Sequence, residues 1–162
     1  MRILYVDDEL AMRDVTARLL GKENIAVETA ANGPAAIARV RQGSPALDVV
    51  VTDLSMPEMN GVDLARALRA IAPDLPIIAF SGSPPPHLQN ALHSELFAAV
   101  VRKGDNPLLL RDAILRVAAA HRCRFNTWVT YLVQDMGNAY EEYRRLTKGD
   151  RRCPGRPQIS WI

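Results

Sequence analysis

The sequence predicts a doubly wound α/β sheet over residues 1 to about 121, on three observations. Five short apolar runs recur at Ile3–Val6, Ile25–Val27, Leu47–Val51, Ile77–Phe80 and Ala98–Val101. Most are continuously apolar rather than alternating, which is the pattern of strands covered on both faces. Apolar residues return at helical spacing in the gaps, and strict strand–helix alternation argues for parallel strands joined by crossover helices.

Each element has its own signal. Ile3–Val6 opens the chain and gives way to Asp7-Asp8-Glu9, after which Met12, Val15 and Leu19 share one helical face. Ile25–Val27 is the second strand. Asn32-Gly33-Pro34 then sets a capping side chain before a proline suited to a first helical turn, and a short helix around Ala35–Arg41 follows. Leu47–Val51 leads to Asp53, and Val62, Ala65, Leu68 and Ile71 carry the third helix. Ile77–Phe80 runs into Ser81-Gly82. Pro84-Pro85-Pro86 can only precede a helix, so the fourth is expected over about His87–Ser94. Ala98–Val101 leads to Lys103, Asn106-Pro107 repeats the capping pattern, and Leu110, Ile114 and Val117 form the last stripe.

No Gly or Pro interrupts Leu108 to Met136, so the last helix either runs unbroken beyond the sheet domain or stops near His121 and restarts at Asn126 or Thr127. Phe125, Val129, Leu132, Met136, Ala139, Tyr143 and Leu146 succeed one another at alternating spacings of 4 and 3, a seam of a/d type. The expected division is a sheet domain over 1–121 and a tail over 122–162. The tail has a helical part at about 126–147 and a loose basic terminus.

Bulk composition is that of a soluble globular protein, with 48% apolar and 23% charged residues. No apolar run approaches the roughly 20 residues of a spanning helix, and the chain opens on MRILYV with no signal-peptide pattern; a cytoplasmic protein is expected. Cys123 and Cys153 have no CxxC partner and no His at ligand spacing, so both read as reduced thiols. Residues 1–121 carry a net charge of −2 and residues 122–162 a net charge of +4, which suggests two parts with different tasks.

Asp7, Asp8, Asp53, Ser81 and Lys103 each stand at or just past the end of an apolar run. In an open parallel sheet those ends share one edge, so side chains far apart in sequence converge there. Three carboxylates together call for a cation, and a hydroxyl and an ammonium beside them suit an incoming phosphoryl group. Each residue alone has an ordinary reading. The acids could favour a helix N-terminus, the lysine could be solvated, and the serine could sit in a turn. Only the joint arrangement defeats those readings.

Asp53 also opens the string Asp53-Leu54-Ser55-Met56-Pro57-Glu58-Met59-Asn60-Gly61. With Val6-Asp7-Asp8-Glu9 upstream and Ser81 and Lys103 downstream, residues 1 to about 121 closely resemble the receiver domain of bacterial two-component response regulators. The resemblance implies a flavodoxin-like (CheY-like) sheet of order 2-1-3-4-5. It implies Mg²⁺ as cofactor, Asp53 as phosphoacceptor, and Lys103 and Ser81 as ligands of the transferred group. Asp8 and Asp53 would hold the metal directly, the Ser55 main-chain carbonyl would add a third ligand, and Asp7 would act through water. Gly82 would leave space for the phosphoryl group, and Ser55 and Ser83 would tune its lifetime. The implied phosphodonor is a histidine kinase or a histidine phosphotransfer protein.

Two departures concern transmission rather than chemistry. Val100 stands where receivers usually carry an aromatic residue, and Gly104 stands where a cis proline usually follows the lysine. A cis bond to a non-proline residue costs about 3–4 kcal/mol, so Lys103–Gly104 is expected trans. Aspartyl-phosphate phosphatases need a second aspartate two positions after the first; that position is Ser55, which argues against them. A degenerate, phosphorylation-independent scaffold is the remaining alternative for the domain.

For the tail, residues 122–162 hold no recognition-helix pattern, and Pro154-Gly155-Arg156-Pro157 near Arg151-Arg152 is a weak minor-groove signal, so nucleic acid is not the expected partner. Docking to a downstream protein, a homodimer through Phe125–Leu146, and an autoinhibitory strap are the three readings. Trp128, Tyr131, Tyr140 and Tyr143 exceed what a free solvated helix exposes, which favours some partner surface.

Overall fold

The computed structural model describes residues 1–82, 96–104 and 107–134, with the backbone alone for 107 and 123–134. The expected helix over His87–Ser94, the cap at Asn106, Ser83, the thiols of Cys123 and Cys153, and the side chains of the Phe125–Leu146 seam lie outside the described residues.

Five parallel strands form one sheet in the order β2-β1-β3-β4-β5: β1 Arg2–Val6, β2 Ala26–Ala30, β3 Val49–Thr52, β4 Ile77–Ser81 and β5 Ala99–Arg102. The central strands are buried almost throughout, as their unbroken apolar runs require. The edge strands differ. β2 is only half covered, and β5 alternates along its length. The second strand lies slightly later than the Ile25–Val27 run, because Glu28 and Thr29 are tolerated on an edge.

Among the described residues the helices are α1 Leu10–Gly21, α2 Gly33–Gln42, α3 Gly61–Ile71 and α4 Pro107–Gln134. Contacts divide the chain after Ala118, and both cores lie within Met1–Ala118. There is one on each face of the sheet. Leu4, Val6, Val50, Ile77 and Ala79 meet Ala36 of α2 and Val62, Leu64, Ala65 and Leu68 of α3. Ile3, Tyr5, Val49, Val51, Ile78 and Phe80 meet Leu20 of α1 and Leu110, Ala113, Ile114 and Ala118 of α4. Burying each such leucine stabilises the fold by about 1.5–3 kcal/mol.

Helix starts follow local chemistry. The Asn32 side chain accepts from the Ala35 N–H at 2.9 Å, with a proline in the first turn of α2. Asn60 accepts from the N–H groups of Val62 and Asp63, which starts α3 immediately after the Asp53 loop. Of the two alternatives for the last helix, the unbroken one is observed from Pro107 to Gln134.

The expected face of α1 is corrected. Thr16 and Leu20 are buried with Met12 half-buried, whereas Val15 and Leu19 are 52% and 43% exposed. Thr16 serves as an inward residue because its hydroxyl meets the Tyr5 phenol, so a polar side chain occupies a core position. Ile71, expected on the inner stripe of α3, is 38% exposed at the last turn. Among the described residues no helix is long and apolar enough to cross a membrane.

Candidate functional site

Strand register assembles the site. Val6 pairs with Thr52, so Asp7 and Asp53 leave the sheet side by side. Ser81 pairs with Arg102, and the Lys103 N–H donates to the Ser81 carbonyl at 3.0 Å, which places the lysine beside them. Carboxylate oxygens of Asp7, Asp8 and Asp53 lie within 4.8 Å of one another. The expected convergence of strand ends is observed for all three acids and the lysine. Ser81 ends β4 and is buried at 4% exposure.

One ammonium binds two of the acids. Lys103 Nζ donates to Asp7 Oδ2 and to Asp53 Oδ2, each at 2.7 Å. Burial depresses the pKa of this lysine, but the Asp53 and Asp7 carboxylates outweigh it and hold the group above its ordinary value. Its ammonium also lies 6.0 Å from the centroid of the Phe80 ring.

The three acids are not equivalent. Asp7 is completely buried; its Oδ2 takes the Tyr5 hydroxyl at 2.8 Å as well as the lysine, and its Oδ1 takes the Glu9 N–H at 3.0 Å. Asp53 is 7% exposed and accepts from the Ser55 N–H at 3.2 Å. Asp8 is exposed, and among the described residues nothing donates to its carboxylate. Arg13 of α1 braces the loop, donating to the carbonyls of Asp7 at 2.7 Å and Asp8 at 3.0 Å. Three carboxylates against one ammonium leave a formal charge of −2, matching one divalent cation, and hard oxygen donors suit Mg²⁺.

The loop after Asp53 is held by close packing. A Cβ on Gly61 would fall on the Asp53 carbonyl oxygen and lie 3.0 Å from its carbonyl carbon, so only glycine lets α3 start there. Met56 is buried and Met59 packs against the same core, so both methionines fill the loop. A Cβ on Gly33 would fall within the Met59 thioether.

Sequence reasoning missed Tyr5, Arg13 and the Glu9 N–H. A signal existed for the first: residues two apart on a strand point to the same side, which places Tyr5 beneath Asp7. Burial pushes the Tyr5 phenol far above the usual tyrosine range; the Thr16 hydroxyl opposes that shift and Asp7 adds to it. Among the described residues the one cis peptide bond is Ser44–Pro45, so Lys103–Gly104 is trans as expected. Gly104 has φ +91°, a value closed to proline.

Residues 3–114 match the family model described as the response regulator receiver domain. The chain is 31% identical over 124 residues to the probable transcriptional regulatory protein TcrX of Mycobacterium tuberculosis, covering 74% of this chain and 49% of that protein. It is 42% identical over 83 residues to a protein-glutamate methylesterase/protein-glutamine glutaminase of a Nocardioides species, covering 50% of this chain and 22% of the relative. This chain thus spans about half or less of these curated relatives. Among solved structures, response regulator TrrA of Thermotoga maritima, in complex with Mg²⁺ and BeF, superposes with a TM-score of 0.64 at 29% identity, over 72% of this chain and 97% of that one.

Proposed function

The chain belongs to the response regulator receiver family, and on that premise we propose that it accepts a phosphoryl group on Asp53, with Mg²⁺, from a histidine kinase or histidine phosphotransfer protein. The observation that carries this reading is the bridge of Lys103 Nζ between Asp7 and Asp53, with the exposed Asp8 carboxylate beside it.

Asp8 and Asp53 would hold the metal with the Ser55 main-chain carbonyl, and Asp7 would act through water. The bound metal supplies charge neutralisation and orientation at the phosphoryl oxygens. An Asp53 carboxylate oxygen forms the new bond to phosphorus while the bond to the donor nitrogen breaks, the electron pair leaving with that nitrogen. Lys103 then moves its charge from carboxylate to phosphoryl oxygen, and Ser81 donates to another. These residues act as phosphoacceptor machinery, and the only reaction of their own is self-dephosphorylation. Support for Mg²⁺ comes from the oxygen-rich cluster and from the TrrA complex.

Output is proposed to pass through protein contacts, with residues 122–162 as a docking, dimerising or strapping segment. Val100 is 48% exposed on β5, and with no aromatic ring there the output differs from the usual aromatic switch. Val100→Tyr and Val100→Ala are expected to leave phosphorylation-dependent partner binding unchanged. A change of the kind the aromatic switch produces would overturn that part.

Intact mass after incubation with acetyl phosphate and Mg²⁺ tests the core of the proposal. One phosphoryl adduct is expected, absent from Asp53→Asn and absent without Mg²⁺. No adduct, with no beryllofluoride binding, would make the domain a phosphorylation-independent interaction module.

A further inference from the structure

Tyr5 is an expensive residue to place where it stands. It is completely buried, so its hydroxyl needs partners inside the protein, and phenylalanine would fill the same space without that requirement. Its ring packs edge-on to Phe80, with centroids 6.3 Å apart and planes at 61°. That contact and the surrounding core fix the ring, and the fixed ring aims the hydroxyl at Asp7 Oδ2, 2.8 Å away.

Asp7 is thereby occupied on both oxygens. Oδ2 takes Tyr5 and Lys103, and Oδ1 takes the Glu9 N–H. A carboxylate held by three donors cannot turn toward a cation without giving one up. Among the described residues nothing restrains the Asp8 carboxylate, and Asp53 has two donors, Ser55 N–H and Lys103. The three acids are therefore graded: Asp7 is held by three donors, Asp53 by one on each oxygen, and Asp8 by none among the described residues.

We propose that Tyr5 is a positioning residue of the phosphotransfer site, its hydroxyl holding Asp7 as the anchor for Lys103 and withholding it from the metal. This rests on the reading of Asp53 as acceptor. Tyr5 does not touch the reacting atoms; it acts through Asp7 on the lysine that must meet the transferring group. Without the hydroxyl, Asp7 is freer to swing toward Mg²⁺, and Lys103 loses a fixed partner. Metal affinity and transfer rate then move in opposite directions, which a purely structural role does not produce.

The test uses Tyr5→Phe in the full chain. Calorimetry without phosphodonor is expected to show Mg²⁺ binding tightened about threefold, since one competing hydrogen bond is gone. The adduct-forming rate with acetyl phosphate at saturating Mg²⁺ is expected to fall about tenfold as the lysine loses its alignment. Unchanged or weaker Mg²⁺ binding, or an unchanged rate, would overturn the proposal. If the wild type takes no phosphoryl group, the acceptor reading fails on its own, and the metal affinities alone then decide the role of Tyr5. If Tyr5→Phe does not fold, Thr16→Val removes the hydroxyl beside the phenol. The same pair of shifts, smaller, is then expected, and its absence overturns the proposal equally.

Discussion

Replacing Lys103 by methionine removes the one ammonium from a cluster of three carboxylates while keeping most of the side-chain volume. Removing one partner of a buried ion pair costs about 3–5 kcal/mol, because the other charge stays buried and unpaired. Here the loss is smaller. Asp7 keeps the Tyr5 hydroxyl and the Glu9 N–H, Asp53 keeps the Ser55 N–H, and the lysine side chain is 17% exposed. A loss of about 2–3 kcal/mol is expected at pH 8 in EDTA, or a fall in melting temperature of roughly 8–15 °C. Mg²⁺ narrows the gap, since a cation at a hundred times its Kd contributes about 2.7 kcal/mol and the variant binds it without a competing ammonium. The pH dependence has a definite sign. The folded-state pKa of Lys103 is raised above 10.5, so its contribution is fully present below that value and is lost as pH rises through the folded one. The difference between wild type and variant therefore stays flat from pH 7 to 9 and shrinks above about 10.5. Urea titrations in EDTA and in Mg²⁺ across that range measure it. A variant as stable as wild type in EDTA at pH 8 would show that the carboxylates do not depend on the ammonium.

Three further predictions follow from local geometry. Gly61→Ala is expected to lose about 3 kcal/mol in urea unfolding, because its Cβ meets the Asp53 carbonyl, whereas Gly21→Ala at the open end of α1 gains about 0.5–1 kcal/mol. Equal effects at the two positions would refute the close approach. Gly104→Pro should lose about 2 kcal/mol, since proline cannot take the φ of +91° found there; a stabilised variant would show that the loop readily adopts the usual proline-bearing form. The hydrogen bond from Arg39 holds the Glu28 carboxyl below its ordinary value of 4.5, assisted by Arg2. That contribution is present above pH 4.5 and is lost as pH falls through the lower folded value. Glu28→Gln should thus cost about 1 kcal/mol at pH 7 and progressively less as pH falls below about 4.5, by denaturation at pH 7 and in that acid range.

The site was legible because its chemistry sits at strand ends, and register alone then brings Asp7, Asp53 and Lys103 together. The strand order was not read from apolar runs; it came through the resemblance carried by the Asp53–Gly61 string. What stayed hidden depended on side-chain polarity in unexpected places. Thr16 faces inward because Tyr5 offers it a partner, and a stripe drawn through Val15 and Leu19 cannot see that. Arg13 was equally invisible, since its partners are main-chain carbonyls rather than a matching charge in the sequence.

The packing of Met59 against Gly33 has a consequence for the divergence of this family. Gly33 opens α2 and Met59 lies in the loop after Asp53, yet a side chain at 33 and a methionine at 59 claim the same volume. A side chain at 33 therefore requires the methionine to move or to shorten. Relatives of this fold that carry alanine or serine at the position of Gly33 should carry a shorter residue at that of Met59. The pair should therefore change together across lineages, as a linked trait rather than as two independent ones.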